Sequence, residues 1–382
     1  MINEVAVVYV LKIFVLLFFF IYPLYGSQKA KIFILHSYSQ EYEWTKNQHS
    51  SFVSTLGKST QEFEVYSEYL DTKRVNFTPE YQNKFIEYLK TKYADATPDL
   101  IYVSDDNALK FVSEHYDRLF QNDTSKIPVF FSGINDLSMH EKLPSDIYAG
   151  VYELKEIKPN IELIKQFSPQ TRDVYIVGDN SNTYELIKKE IQTQETVFAN
   201  FKFHYIGESE IGEIEKKLPN KPKTFVILTT IGNIKDKKNN VLLPKESIQR
   251  IKQNRELIIL SMEDAYMHKG VVGGYVTSGL RQGEEAAKLV LSYLDEKTLK
   301  NVTSLLKSPN LYIFNSKELV EARVILSEYI ARNSTIIGKD KDFIERNQSI
   351  LLNIFAVIAA ILFFISVTLY VMRQKRDFPL SE

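Results

Sequence analysis

Short runs of β-branched and aromatic residues alternate with longer amphipathic stretches along most of this chain. Such alternation is typical of βαβ units built around a parallel sheet. In the first part of the chain it predicts strands at 31–36, 63–69, 100–104 and 128–132, and helices at 44–56, 79–93 and 107–120. Together these elements complete one doubly wound lobe.

The same alternation then begins again, which predicts a second lobe of similar size and order. Its strands are expected at 174–178, 202–206, 224–229, 257–261 and 271–276, and its helices at 155–167, 182–198, 211–218 and 244–254. A helix at 284–295 and a strand at 311–314 return the chain to the hinge, and juxtamembrane helices follow at 318–330 and 340–348. The fold class is therefore α/β, with two doubly wound open-sheet lobes.

An uncharged, mostly apolar run from Ile350 to Val371 follows these lobes. A helix of that length measures about 33 Å and crosses the hydrocarbon core of a bilayer. Arg373, Lys375 and Arg376 come directly after it, and basic residues next to a spanning helix stay on the cytoplasmic side. We therefore expect a single-pass protein of the inner membrane, with its main domain outside and a short cytoplasmic tail.

A second apolar run, Val5 to Leu24, carries Lys12 as its only charge and precedes the small residue Gly26. It is either a cleaved signal peptide or an uncleaved anchor, and both export the rest of the chain. The expected organisation is this N-terminal segment at 1–26, lobe 1 at 27–150, lobe 2 at 151–278, a hinge return with juxtamembrane helices at 279–349, the membrane helix at 350–372 and the tail at 373–382.

Composition excludes several classes of function. The net charge is −1 without a basic stripe, so we expect no nucleic-acid partner. Cysteine is absent, which removes disulfides, thiol catalysis and thiolate metal sites. The sequence lacks a His-Glu-x-x-His pair, a Gly-x-Ser-x-Gly elbow and a phosphate-binding loop. We therefore predict a protein that is not an enzyme and that has no cofactor and no metal.

Ligands of open α/β sheets bind where the carboxyl ends of the strands meet, so the cleft between the lobes is the predicted site. Polar and aromatic residues follow the predicted strands in both lobes, and Glu153 lies where the chain crosses between them. A helix N-cap, a turn or a core position is the alternative role for each. The predicted ligand-binding residues are Ser37, Tyr38, Trp44, Asp106, Asn107, Gly133, Asn135, Glu153, Asn180, Ser181, Thr230 and Asp264.

Six motifs in the first lobe carry a family resemblance. They are His36-Ser37-Tyr38, Glu43-Trp44-Thr45, Glu68-Tyr69-Leu70-Asp71-Thr72-Lys73-Arg74, Pro98-Asp99-Leu100-Ile101, Ser104-Asp105-Asp106-Asn107-Ala108 and Pro128-Val129-Phe130-Phe131-Ser132-Gly133-Ile134-Asn135. In this order and spacing they resemble the ABC-transporter substrate-binding-protein-like sensor domains found outside the membrane in bacterial histidine kinases and diguanylate cyclases. The resemblance implies a type I periplasmic-binding-protein fold that recognises a small solute and relays its occupancy through the membrane helix.

The tail after Arg376 is too short for a kinase or cyclase module, so we expect the output to pass to a separate partner. The expected function is a membrane-anchored solute sensor coupled to a histidine kinase or diguanylate cyclase. A truncated gene product remains an alternative, as does a tethered substrate-binding subunit that delivers solute to an ABC permease. A third reading, an adhesive ectodomain without ligand, predicts a cleft with no convergent polar groups.

Overall fold

The structure is a computed structural model that describes residues 29–94, 96–120, 126–253, 255–339 and 347–377. The chain divides into two compact units, residues 1–335 and residues 336–382. The predicted N-terminal segment at 1–26 and most of the predicted helix at 340–348 lie outside the described residues.

The first lobe is a five-stranded sheet flanked by helices. Its strands run parallel in the order β2-β1-β3-β4-β5, the doubly wound arrangement that the sequence predicts. The elements in chain order are β1 (Ala30–His36), α1 (Glu43–Leu56), β2 (Phe63–Tyr69), α2 (Pro79–Lys92), β3 (Leu100–Ser104), α3 (Asp105–Leu119), β4 (Val129–Ile134), α4 (Met139–Lys142) and β5 (Tyr148–Tyr152).

The second lobe repeats this order. Its parallel strands lie in the order β7-β6-β8-β9-β10, and β11 extends the sheet antiparallel to β10, with β12 at the edge. The elements are α5 (Ile157–Phe167), β6 (Asp173–Gly178), α6 (Asn182–Gln194), β7 (Lys202–Gly207), α7 (Ile211–Lys217), β8 (Thr224–Leu228), α8 (Pro244–Lys252), β9 (Leu257–Ser261), β10 (Val271–Val276), β11 (Leu311–Asn315) and β12 (Ser334–Ile337). The predicted two-lobed α/β fold class is thus confirmed.

The helix that follows β10, α9 (Gly279–Glu296), belongs to the first lobe. Its buried residues Ala286, Ala287 and Val290 join the core beneath β1, β3 and β4. The chain then pairs Leu305 with the backbone of β5 before it returns to β11 in the second lobe. The two lobes are therefore joined by three crossings, after β5, after β10 and before β11.

Several parts of the fold differ from the sequence prediction, which also lacks the short helix α4 and the edge strand β12. The strand β5 was not predicted, because glycine is unfavourable inside a strand and Gly150 is one of its five residues. In the structure Gly150 lies against the backbone of Phe131, where a side chain would not fit. The helix predicted at 318–330 is two short helices, α10 (Ser316–Ala322) and α11 (Glu328–Arg332). Arg323 adopts a left-handed backbone conformation with φ 54°, which ends α10.

The second unit contains the long helix α12 (Gln348–Asp377). Its 22-residue segment Gln348–Leu369 contains an 18-residue window with a mean hydropathy of 2.9, and in the part of the chain that the structure describes it is the one helix long and apolar enough to cross a membrane. The apolar run that the sequence predicts as a membrane segment is therefore helical.

Close packing of α1 on α9 makes a test of this arrangement. A Cβ atom added at Gly283 would lie 2.2 Å from the carbonyl oxygen of Gln48 in α1. Gly283→Ala should therefore lower the free energy of unfolding by about 1–3 kcal/mol, measured by urea denaturation of the full chain in detergent. Gly57→Ala is the control, because Gly57 has φ −64° and its added Cβ would meet Val53 at an ordinary 3.5 Å. An unchanged midpoint for Gly283→Ala would contradict the close helix packing.

Candidate functional site

A cavity lies between the two lobes, where the carboxyl ends of both parallel sheets meet. It is small, with a volume of about 20 Å³ for water-sized spheres, enough for about one water molecule. Both lobes and the crossing after β5 contribute to its wall. The lining residues are Tyr38, Tyr42, Trp44, Lys73, Asp105, Asn135, Glu153, Lys155, Thr183, Thr230 and Glu263.

A buried lysine lies at the centre of this wall. The Lys155 ammonium contacts a carboxylate oxygen of Glu153 and lies 3.1 Å from Oε1 of Glu263, which follows β9 in the second lobe. Burial alone would lower the pKa of Lys155, but the two carboxylates outweigh that effect and raise it. Thr277, at the second crossing, donates a hydrogen bond of 3.0 Å to Glu153. The charged cluster therefore joins two crossings to the second lobe.

Glu263 is the member of this cluster that titrates near neutrality. Burial raises its pKa from the ordinary 4.5 to about 7, against the opposing attraction of Lys155. Its partner Lys155 is already shared with Glu153, so the cluster carries two carboxylates for one ammonium. A proton on Glu263 relieves this excess of negative charge.

Trp44 and Asp105 form a second polar group in the cavity. Trp44 Nε1 donates a 2.8 Å hydrogen bond to Asp105 Oδ1, and Gln48 Nε2 donates one of 3.2 Å to the other carboxylate oxygen. Asp105 has a left-handed backbone with φ 67°, and burial followed by repulsion from Glu153 raises its carboxyl pKa well above the ordinary range. Strained residues of this kind concentrate at functional sites.

Two tyrosines and a lysine form another part of the cavity wall, and a third tyrosine contacts them from the second lobe. The Lys73 ammonium lies 4.4 Å from the ring centroid of Tyr38 and 4.9 Å from that of Tyr42. The Tyr42 hydroxyl lies 3.1 Å from the hydroxyl of Tyr266, which belongs to the second lobe. Burial raises the pKa of Tyr38, Tyr42 and Tyr266, so all three phenols are neutral hydrogen-bonding groups at physiological pH.

Of the twelve residues predicted from the sequence, the structure brings five into the cavity wall. Three more lie directly behind it. Ser37 donates to the Ser104 carbonyl and accepts from the Ala108 amide, Asp106 accepts from the amides of Asn135 and Asp136, and a Cβ on Gly133 would lie 2.9 Å from Asp105. The five lining residues are Tyr38, Trp44, Asn135, Glu153 and Thr230.

The other four predicted residues lie outside the cavity, because local groups hold their side chains or solvent surrounds them. Asn107 donates to Thr72, and Ser181 caps α6 by accepting from the Tyr184 amide. Asp264 accepts from Ser278. Asn180 is exposed. For Ser181 the structure shows the helix N-cap role that the sequence left open as the alternative, whereas Asp106 binds backbone amides in the loop after β4 and caps none of the described helices.

Sequence reasoning missed several lining residues, chiefly Tyr42, Lys73, Lys155 and Glu263. For Lys155 a signal was present. It lies two residues after Glu153 in an extended crossing, and residues at that spacing share a face. For Lys73 the sequence gives no such signal, because Asp71 is close in sequence to both Lys73 and Arg74; in the structure, Arg74 is the residue that pairs with Asp71. The Lys73 ammonium lines the cavity instead.

Glu263→Gln should change how stability depends on pH. A carboxyl whose pKa is raised in the folded state binds more protons there than in the unfolded state, so wild type gains stability as pH falls from 7 towards 4.5. The glutamine variant should lack about 2 kcal/mol of that gain between pH 7 and pH 5. Urea unfolding at each pH measures it, with the exposed Glu87→Gln as control. Parallel curves for wild type and Glu263→Gln would refute a raised pKa at this site.

The comparisons with known proteins give the fold. No family model matches the sequence, and no curated protein matches it. Among solved structures, a conserved domain protein from Vibrio cholerae has a TM-score of 0.58 at 11% identity and covers 81% of this chain and 99% of its own. An ABC domain from Streptococcus pneumoniae in complex with L-Trp has a TM-score of 0.58 at 15% identity, with 81% and 100% covered.

A third similar structure is a substrate-binding protein with adhesive properties from Clostridium difficile, in a ligand-free, open form. Its TM-score is 0.57 at 13% identity, and the match covers 81% of this chain and 100% of that one. Identities this low speak for the fold alone. Together with the two lobes, the three crossings and the interlobe cavity, they show that this chain has the type I periplasmic-binding-protein fold that its motifs predicted.

Proposed function

We propose that this chain is a membrane-anchored extracytoplasmic sensor that binds a small solute between its two lobes. The observation that carries the proposal is the interlobe cavity, whose wall combines aromatic rings, carboxylates, ammonium groups and an amide from both sheets. Concave sites with a few convergent polar groups are the usual form of small-molecule sites. An adhesive ectodomain without ligand would lack such convergence.

Direct contacts between the lobes support a closing mechanism. Trp44 of the first lobe packs within the hydrophobic core cluster of the second, together with residues such as Leu228 and Ile231. The Tyr42–Tyr266 contact adds a polar link. A solute that touches both walls has more contacts in the closed form than in the open one, so its binding energy shifts the equilibrium towards closure.

The similar structures fit a binding role. The Streptococcus pneumoniae domain was captured with L-Trp, and the Clostridium difficile protein is a substrate-binding protein in an open form. We infer by analogy that this chain binds a small organic solute and opens and closes, and that it catalyses no reaction. Among the described residues, the lining contains no serine, cysteine or histidine, so the groups of the familiar nucleophile–histidine sites are missing from it.

The membrane helix gives this occupancy a route to a partner. In our proposal α12 crosses the inner membrane and carries lobe closure to a signalling protein such as a histidine kinase or a diguanylate cyclase. The alternative is a tethered substrate-binding subunit that delivers solute to an ABC permease, a role that the Clostridium difficile likeness favours. Neighbouring permease and ATPase genes would support the carrier, and a neighbouring kinase, cyclase or response regulator would support the sensor.

Trp44 is the single tryptophan of the chain and lies in the cavity wall, so its fluorescence reports directly on solute binding. Titration of the full chain in detergent with amino acids, nucleobases, sugars and carboxylates should identify a class that changes the emission. The same compound at a hundred times its Kd should stabilise the protein by about 2.7 kcal/mol in thermal unfolding.

Trp44→Phe is the control for this titration, because it removes the fluorescence change while thermal stabilisation shows whether binding survives. If a well-folded protein shows no change in emission and no thermal stabilisation with any compound of the panel, the result would count against solute binding.

The absence of native cysteine allows a clean test of topology. A cysteine at exposed Lys58 should react with a membrane-impermeant maleimide in intact spheroplasts, whereas one at Ser381 should react only after permeabilisation. Equal labelling of both would show that α12 does not span the membrane. Labelling of Ser381→Cys alone would invert the orientation that the basic residues after α12 predict.

A further inference from the structure

The Lys73 ammonium differs from the other charged groups of the cavity. Lys155 is neutralised by two carboxylates. For Lys73 the contacts in the described chain are the faces of two tyrosine rings, and no carboxylate lies within ion-pair distance of it there. A partly buried cation held only by rings keeps its hydrogen-bond donors for another acceptor.

The two acidic residues near Lys73 in the loop already pair with another residue. Asp71 accepts two hydrogen bonds, of 2.8 and 2.9 Å, from Nε of Arg74, and Glu41 lies 3.4 Å from the same guanidinium. Both acids therefore pair with Arg74, on the exposed side of the loop that follows β2. Lys73 points instead to the cavity, where it joins the lining.

The loop that carries Lys73 is fixed in place. The backbone amide and the hydroxyl of Thr72 both donate to the Ser37 carbonyl, at 2.9 and 3.0 Å. On the next turn, the amides of Arg74 and Val75 donate to the Asp71 carbonyl. An ammonium on a loop this well anchored is pre-positioned, so little ordering is required when a ligand arrives.

Lys73 also meets the second lobe. A Cβ atom added at Gly232, in the loop after β8, would lie 3.1 Å from the Lys73 Nζ and 2.5 Å from the Tyr42 hydroxyl. The ammonium therefore reaches the opposite wall, where the glycine leaves its approach open. A ligand group bound by Lys73 would be enclosed by both lobes in the closed form.

We propose that Lys73 is the seat for an anionic group of the solute, and that this group is a carboxylate. The inference rests on the proposed solute-binding function and adds the chemistry of one end of the ligand. A singly charged carboxylate matches one ammonium, whereas a phosphate dianion would bring a second negative charge into a cavity that already holds Asp105, Glu153 and Glu263. The aromatic rings of Tyr38 and Tyr42 then flank the carboxylate and exclude water from the contact.

Matched acids and amides test the proposal on the full chain in detergent. The probes are L-phenylalanine and L-phenylalaninamide, L-leucine and L-leucinamide, lactate and lactamide, and benzoate and benzamide, each followed by Trp44 emission and by thermal unfolding. At least one acid should bind, and its amide should bind about ten- to a hundredfold more weakly, the worth of a charge-assisted hydrogen bond.

Variants of Lys73 complete the experiment. Lys73→Met should weaken the affinity for the acid about ten- to a hundredfold, and the protein should then no longer prefer the acid over its amide. Lys73→Arg should retain part of that preference. Lys46→Met, which removes an exposed lysine on α1, should leave binding unchanged. Acid and amide that bind equally, or a preference that survives Lys73→Met, would overturn the carboxylate seat and leave solute binding intact. No binding by any of these probes would overturn the carboxylate seat, and no binding by the wider panel of sugars and nucleobases either would contradict solute binding as well.

Discussion

Burial of charge in a closed cleft is the constraint on which this structure depends. Glu153, Lys155 and Glu263 are almost fully removed from water, and each would be costly to bury alone. Their mutual contacts offset that cost only while the crossing after β5 and the end of β9 stay together. Removal of one partner from such a buried pair costs about 3–5 kcal/mol. The closed arrangement of the lobes is therefore tied to electrostatic balance as well as to apolar packing.

The same electrostatic balance determines how the charged groups of the cleft would respond to a new polar group beside them. Lys155 is satisfied by two acids, Asp105 by neutral donors and Lys73 by aromatic rings, so the three groups differ in how readily they accept a new partner. Because Asp105 and Glu263 have raised pKa values, the charge of the cavity is not fixed by composition. A solute of the proposed kind would replace water there and change these protonation states together.

The fold was largely predictable from sequence, and the site only in part. Each predicted strand of the two lobes ends within two residues of the observed strand. Most of these strands are buried on both faces, and such strands have continuous apolar sequences that are easy to recognise. Tyr38, Trp44 and Asn135 were predicted because each follows a strand whose carboxyl end faces the cleft, and they line the cavity; their contact with a ligand stays a prediction. Lys73 and Lys155 were not, because whether a lysine pairs at the surface or turns inward depends on partners that are distant in sequence. Asp264 and Glu263 are neighbours, and periodicity alone does not say which of the two faces the cavity.

The return of α9 to the first lobe has a consequence for how the chain matures. The core around Phe52 and Tyr102 is completed by α9, which is synthesised only after the parallel strands of the second lobe. During synthesis, the first lobe therefore stays unfinished until α9, which ends at Glu296, has been made. Folding of the two lobes is coupled in time, and no contiguous fragment that stops at β5 contains a complete first lobe. Chaperones would meet this chain with the apolar surface beneath α9 still uncovered.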